Sequence, residues 1–319
     1  LMRLLMDEEG LEWDEAWDIT THTIAYTNHT VLPEALEKWP IDMMQTILPR
    51  VYMIIEEIDR RFKESFDKSQ PDWQRRHQAT AILWDGQVKM ANLSIIGSYS
   101  VNGVAALHTE ILKKDTLKDF YALYPEKFNN KTNGVSHRRF LMEANPGLTD
   151  LITSAIGPEW TYHPAALERL LPFKEDSAFL ERLAAVKREN KVRLAEHIRI
   201  NNGIDVDPDS VFDVQVKRIH AYKRQLLYAF KMDLYNQLRD DPNMDIHPHT
   251  FIFAGKAAGS YVFAKEVIKL INSIADVVNN DPAVNNKMKV VFMENFRVSS
   301  AQIIYPAAEI SEQISTAGK

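Results

Sequence analysis

Three short, strongly apolar segments, Val211 to Val216, Thr250 to Gly255 and Lys289 to Met293, are separated from one another by stretches of helical periodicity. No other feature constrains the fold as tightly, because strands alternating with helices pair side by side as a parallel α/β sheet. The first intervening helix carries Leu227, Phe230 and Leu234 on one face. The second, from about Tyr261 to Val278, carries Val267, Leu270, Ile271 and Ile274. Upstream, helical segments near 146–157 and 177–200 run into the breaker Asn201-Asn202-Gly203. Parallel sheets of this kind take their ligands at the carboxyl ends of the strands, so chemistry is sought there.

Directly after the first strand stands Lys217-Arg218-Ile219-His220-Ala221-Tyr222-Lys223-Arg224. As a solvated helix start or a nucleic-acid patch such a run would be ordinary. At the head of a helix, however, cations oppose the macrodipole, and the position suits an anion such as phosphate. A small phosphorylated ligand is the preferred reading, with Ile219 and Tyr222 packing the pocket. The third strand ends in Glu294-Asn295-Phe296-Arg297-Val298-Ser299. Taken as the neighbouring strand end, it adds a second cation to a shared anionic site. The second strand end, Gly255 to Tyr261, lacks the order of a P-loop, and no G-x-G-x-x-G is present.

The first half reads as helix-rich. A long amphipathic helix starts at Pro49, with Val51, Ile54, Ile55, Ile58, Phe62 and Phe66 at helical spacing. Leu83-Trp84 and Gln87-Val88 flank the tight-turn pair Asp85-Gly86, a hairpin signal, and a helix resumes near Ala91. Residues 115–134 look loop-like and mark the preferred domain boundary. Three polar turns, Tyr26 to Thr30, Ser98 to Val104 and Lys131 to Gly134, carry the asparagine and histidine that can both donate to and accept from sugar hydroxyls. Asn28 or Thr30 can equally cap a helix with Pro33 in its first turn. His247 and His249 flank Pro248 without a third ligand, so no metal site is expected.

Composition narrows the classes. With 319 residues, 45% hydrophobic and 26% charged, the chain reads as an ordinary globular protein of two or three domains. Only 11 glycines occur, where average usage gives about 22, so glycine turns are few. The absence of cysteine excludes disulfides, thiolate metal sites and a cysteine nucleophile. A net charge of −6 argues against a surface wholly given to nucleic acid or membrane. No apolar run reaches the roughly 18 residues of a membrane span. Without a signal peptide, a cytoplasmic location is expected. The first residue, Leu1, suggests a segment cut from a longer protein.

Together these motifs resemble the glycogen/starch/maltodextrin phosphorylase family over the whole chain. The resemblance is carried by YTNHTVLPEALEKW from Tyr26, FNNKTNGVSHRR from Phe128, FDVQVKRIHAYKRQL from Phe212, Gly255 to Lys265, Asp276 to Asp281, Glu294 to Ser299, and SEQISTAGK from Ser311. It implies an α/β protein of partial two-domain, glycosyltransferase-B-like fold. Residues 1–131 would end the N-terminal domain, and 132–319 would begin a C-terminal domain with a parallel Rossmann-like sheet. The implied reaction is retaining phosphorolysis of α-1,4-glucans to glucose 1-phosphate with pyridoxal phosphate, in a homodimer that binds neither nucleic acid nor membrane. Lys217 would contact the cofactor, Arg218 and Lys223 the substrate phosphate, and Tyr222 the sugar. His29 and Asn133 would hydrogen-bond the glucosyl unit with Val104 lining the pocket, and Phe140, Phe296, Arg297 and Val298 would flank the cofactor. Phe140 departs from the family's frequent Trp, and Phe296 from its frequent Tyr. The family's glycine-rich loops and Schiff-base lysine are absent, and Lys319 is not in that lysine's motif. The polypeptide is therefore expected to be an inactive middle segment of a phosphorylase. A non-catalytic glucan- or phosphate-binding module is the alternative.

Overall fold

The computed structural model describes residues 1–284 and 286–316, so the end of the Ser311 to Lys319 motif lies outside the described residues. The chain divides into two compact units, Leu1–Gly134 and a second beginning at Val135.

In the first unit, helix α1 (Pro49–Glu64) starts with proline at its first turn, where the missing N–H costs nothing. Its face of Tyr52, Ile54, Ile55, Ile58 and Phe62 is buried in the unit's core, with Ile82, Val88, Ile95 and Val101. The opposite face carries Arg60 and Arg61 paired with Glu57 at 2.7 and 2.6 Å.

The unit has six short strands, two before this helix and four after it: β1 (Ala25–Thr27), β2 (Lys38–Pro40), β3 (Leu83–Trp84), β4 (Gln87–Lys89), β5 (Ser100–Gly103) and β6 (Phe128–Asn130). The expected hairpin is present. Asp85 and Gly86 both adopt left-handed backbone, φ 54° and 69°, and close β3 onto β4 antiparallel, with β2 pairing on the other side. β1, β5 and β6 form a parallel three-stranded sheet in the order β1-β5-β6.

That sheet corrects the reading of residues 115–134 as loop. The stretch holds a helix, Lys118–Leu123, and β6. Three-residue strands with one buried apolar side chain, Phe128, carry too little periodicity to announce themselves. Their neighbours decide the conformation.

The second unit contains β7 (Val211–Val216), β8 (His249–Ala254), β9 (Met288–Met293) and β10 (Ile310–Ser311), all parallel in the order β10-β7-β8-β9. Side chains alternate between two covered faces, which is why these strands read as mostly apolar runs, broken in β7 by Asp213 and Gln215. Phe212, Val214, Ile252, Val291 and Met293 pack with α2 (Ser177–Asn202) and Ile304. Phe251, Phe253, Val290 and Phe292 pack with Tyr228, Met232, Leu238 and the helix α3 (Val262–Asn280). α2 ends at the anticipated breaker, with Gly203 left-handed at φ 67°.

Three expectations change here. A fourth strand, β10, joins the sheet beyond the three that were read. The segment after β7 is broken into Gln225–Ala229, a 3₁₀ turn Phe230–Met232, and Asp233–Asp240. That break resets the helical phase, so Leu227 and Phe230 are exposed while Tyr228, Ala229 and Met232 are buried. In α3, Leu270 is likewise exposed, and Ala264, Ala275 and Val278 complete the buried stripe.

Candidate functional site

At the carboxyl end of β7 the ladder continues one step, with Lys217 N–H donating to Ala254 O at 3.0 Å and Ile219 N–H to Lys256 O at 3.1 Å. The two strand exits run so close that a Cβ on Gly255 would stand 2.1 Å from the Lys217 carbonyl oxygen, so only glycine fits. Ile219, 2% exposed, anchors the loop in the core. The polar residues fan outward around it: Arg218 exposed, and Lys217, Tyr222, Lys223 and Arg224 half-buried.

Buried amides hold this loop from behind. Gln215 donates to the Lys223 carbonyl at 3.0 Å, and Gln225 donates to the Arg218 carbonyl at 3.1 Å. The Lys217 ammonium donates to the Glu312 carbonyl at 2.8 Å and to Gln313 Oε1 at 3.2 Å. Burial lowers its pKa below the ordinary lysine range, with Lys223 adding to the effect and Glu312 opposing it. Behind Glu312, Lys231 bridges its carboxylate at 2.6 Å and that of buried Asp213 at 3.0 Å. Burial raises the Asp213 pKa, and Lys231 opposes the rise. His220 packs its ring against Tyr222 and Tyr261, with centroids 4.6 and 5.1 Å away.

The helix after the run is only five residues long, so its dipole, expected to oppose these cations, is weak. Backbone tethering from Gln215, Gln225 and Glu312 gathers them instead. Among the described residues, no carboxylate lies within ion-pair distance of Lys217, Arg218, Lys223, Arg224 or Arg297.

β9 ends in a turn with Asn295 left-handed at φ 51°. Arg297 is extended and exposed, its Nε donating to Ser299 Oγ at 2.9 Å, at the head of the helix α4 (Val298–Ala307). Phe296 packs into the core beneath, and Val298 is half exposed. A cavity of about 440 Å³ opens here, lined by His197, Asn201 and Asn202 of α2 together with Asn295, Arg297 and Ser299. The α2 residues went unnoticed in the sequence, where they read only as a helix end. Phe140 lies on a π-helical turn, Arg138–Glu143, its ring 5.6 Å from that of Tyr305 of α4. The exits of β7 and β9 are not neighbours as anticipated, because β8 runs between them. Two strand spacings, roughly 10 Å, separate them.

In the first unit the sugar-type residues follow the carboxyl ends of the parallel sheet that the sequence did not disclose. His29 follows β1 and is exposed, Val104 follows β5, and Asn133 follows β6. Val104 O accepts from Asn133 N–H at 2.9 Å, which joins two of them directly. Asn28 is buried and its side chain accepts from Thr30 N–H, while Thr30 Oγ accepts from Leu32 N–H. Both residues shape turns ahead of a 3₁₀ segment, Pro33–Ala35, and cap no α-helix. His247 binds the Asp209 carbonyl, and no metal-type cluster occurs among the described residues.

A family model described as carbohydrate phosphorylase matches residues 1–319. Glycogen phosphorylase of Bacillus subtilis is 56% identical over 321 residues, covering all of this chain and 40% of that protein. The muscle forms of glycogen phosphorylase from Mus musculus and Homo sapiens are 50% and 49% identical, again along the whole chain and over 38% of theirs. The chain thus spans about two fifths of the length of these relatives, and it belongs to the carbohydrate phosphorylase family.

Proposed function

We propose that this chain supplies the anion-holding and sugar-reading residues of an α-1,4-glucan phosphorylase, which transfers a glucosyl unit from glycogen or maltodextrin to inorganic phosphate. The observation that carries this reading is the row of cations at the carboxyl edge of the second unit's sheet, which have no carboxylate partner among the described residues, in a chain that matches the family along its whole length. Cations hydrogen-bonded only to neutral groups are suited to phosphate, and their charge stabilises what develops as a glycosidic bond breaks toward an oxocarbenium-like state.

In the reaction, the bond from C1 to the bridging oxygen breaks, that oxygen takes a proton, and a phosphate oxygen bonds to C1. Arg218 and Lys223 hold the substrate phosphate, and Tyr222 contacts the sugar. His29 and Asn133 hydrogen-bond its hydroxyls beside Val104. Lys217, Phe140, Phe296, Arg297 and Val298 would flank pyridoxal phosphate, the cations Lys217 and Arg297 being of the kind that its phosphate group needs. When bound, that cofactor supplies a phosphate group able to exchange protons. Residues 1–131 are assigned to the end of the N-terminal domain and 132–319 to the start of the C-terminal one, in a cytoplasmic homodimer. These 319 residues, about two fifths of the relatives' length, are proposed to be inactive alone.

The test exchanges the matching segment of the Bacillus subtilis enzyme for this chain and measures release of glucose 1-phosphate. The chimera should turn over, while Lys217→Ala and Arg218→Ala should each lower kcat/KM by about 100-fold or more. The isolated chain should release none. A folded, cofactor-loaded chimera without turnover would overturn the reading, and one that still bound maltodextrin would support the binding-module alternative.

A further inference from the structure

Of the three first-unit histidines without a task in the reaction, His22, His77 and His108, one touches the sugar-type residues. His108 lies on the short helix Ala106–Ile111 that follows β5, and its Nδ1 receives the Val104 N–H at 3.0 Å. A backbone N–H can only donate, so Nδ1 must present a lone pair, which assigns a neutral ring with its proton on Nε2. Nε2 is buried without a hydrogen-bond partner among the described residues. Burial holds this ring's pKa below the ordinary histidine value; the Thr30 backbone works against that and His29 with it. The imidazole therefore stands between the backbone beside His29 and the turn at Val104, whose carbonyl in turn holds Asn133.

We propose that His108 is the positioning residue of the glucosyl-reading edge. Its unprotonated Nδ1 fixes the Val104 turn, that turn fixes Asn133, and the ring sets the spacing to the segment that carries His29. The proposal rests on the assignment of His29, Val104 and Asn133 to the sugar. A side chain that only fills space would be replaceable by any ring of similar size, whereas positioning requires an acceptor where Nδ1 stands. Asparagine places its amide oxygen there, and phenylalanine offers a ring without one.

The test uses the full 319-residue chain, ¹⁵N-labelled, with maltotriose as the sugar probe. Ring-nitrogen spectra of the unaltered chain should show the Nε2–H tautomer, a readout that needs no variant. His108→Phe should displace the Val104 and Asn133 amide resonances and weaken maltotriose binding about tenfold. His108→Asn should restore the Val104 resonance and bring binding back to within about threefold. A protonated Nδ1, or a His108→Phe chain of unchanged circular dichroism whose two amides stay in place, would overturn the proposal. Failure of His108→Asn to restore the Val104 resonance would do the same. If the unaltered chain takes up no maltotriose, the sugar assignment falls, while the tautomer and amide spectra still decide whether His108 holds the turn.

Discussion

On the solvent-facing side of α1, Glu57 accepts from both Arg60 and Arg61, and these bonds pull its pKa from the ordinary 4.5 down to about 2. A carboxylate depressed in the folded state adds stability that is fully present above its ordinary value and is lost as pH falls from 4.5 toward 2. Exposed pairs of this kind are worth little, under about 1 kcal/mol. Glu57→Gln should therefore leave the neutral-pH melting temperature almost unchanged and flatten the acid limb of the stability curve, a difference that high salt erases. Melts from pH 7 down to 2 check this, and an unaltered acid limb would refute it. At this scale charge was easy to read: the run from Lys217 to Arg224 stands out in any acidic chain. The residues that aim it were not readable. Gln215, Gln225 and Glu312 matter because of which carbonyl or ammonium each one meets, and that depends on strands far apart in sequence.

Among the elements, β7, β8 and β9 were legible because both faces of their sheet are covered, so apolar side chains fill most positions, with Asp213, Gln215 and Thr250 as buried polar exceptions. β10 was not, having two residues and both side chains exposed. Its place depends on polar tethers at either end. Before it, Glu309 accepts from Phe212 N–H at 2.7 Å and from buried Lys191 at 2.9 Å. After it, Glu312 is bound to Lys231, which also neutralises Asp213, 1% exposed. Removing Lys231 leaves Asp213 buried without its counter-ion and frees the backbone that holds the Lys217 ammonium. Lys231→Met should cost about 2 kcal/mol, less than a fully buried pair because Lys231 is half exposed. Hydrogen exchange should quicken at the Glu312 amide, which bonds to Val214 O, ahead of any change in β8. Uniform exchange across the sheet would show that the tether is not local.

At the scale of the whole molecule, alternation of strand and helix disclosed the α/β class and the second unit's sheet, whereas the first unit's parallel sheet, built from strands of three or four residues, lay below the reach of any pattern. Each unit nevertheless has a core of its own: Ile55, Ile58, Phe62, Ile95 and Val101 belong to one, and Phe212, Ile252, Phe253 and Val291 to the other. Units with separate cores can unfold separately. The stretch 131–136 has no regular structure and all its side chains are exposed, the usual condition for nicking. Brief trypsin treatment should therefore cut first after Lys131, although its amide and that of Asn133 are bonded to Gly103 and Val104. Those two bonds should slow the cut, and His108→Phe, by loosening Val104, should quicken it severalfold without altering cleavage elsewhere. Calorimetry of the uncut chain should resolve two transitions, and nicking should leave both. A single cooperative transition lost on cutting at Lys131 would mean that the two cores do not stand by themselves.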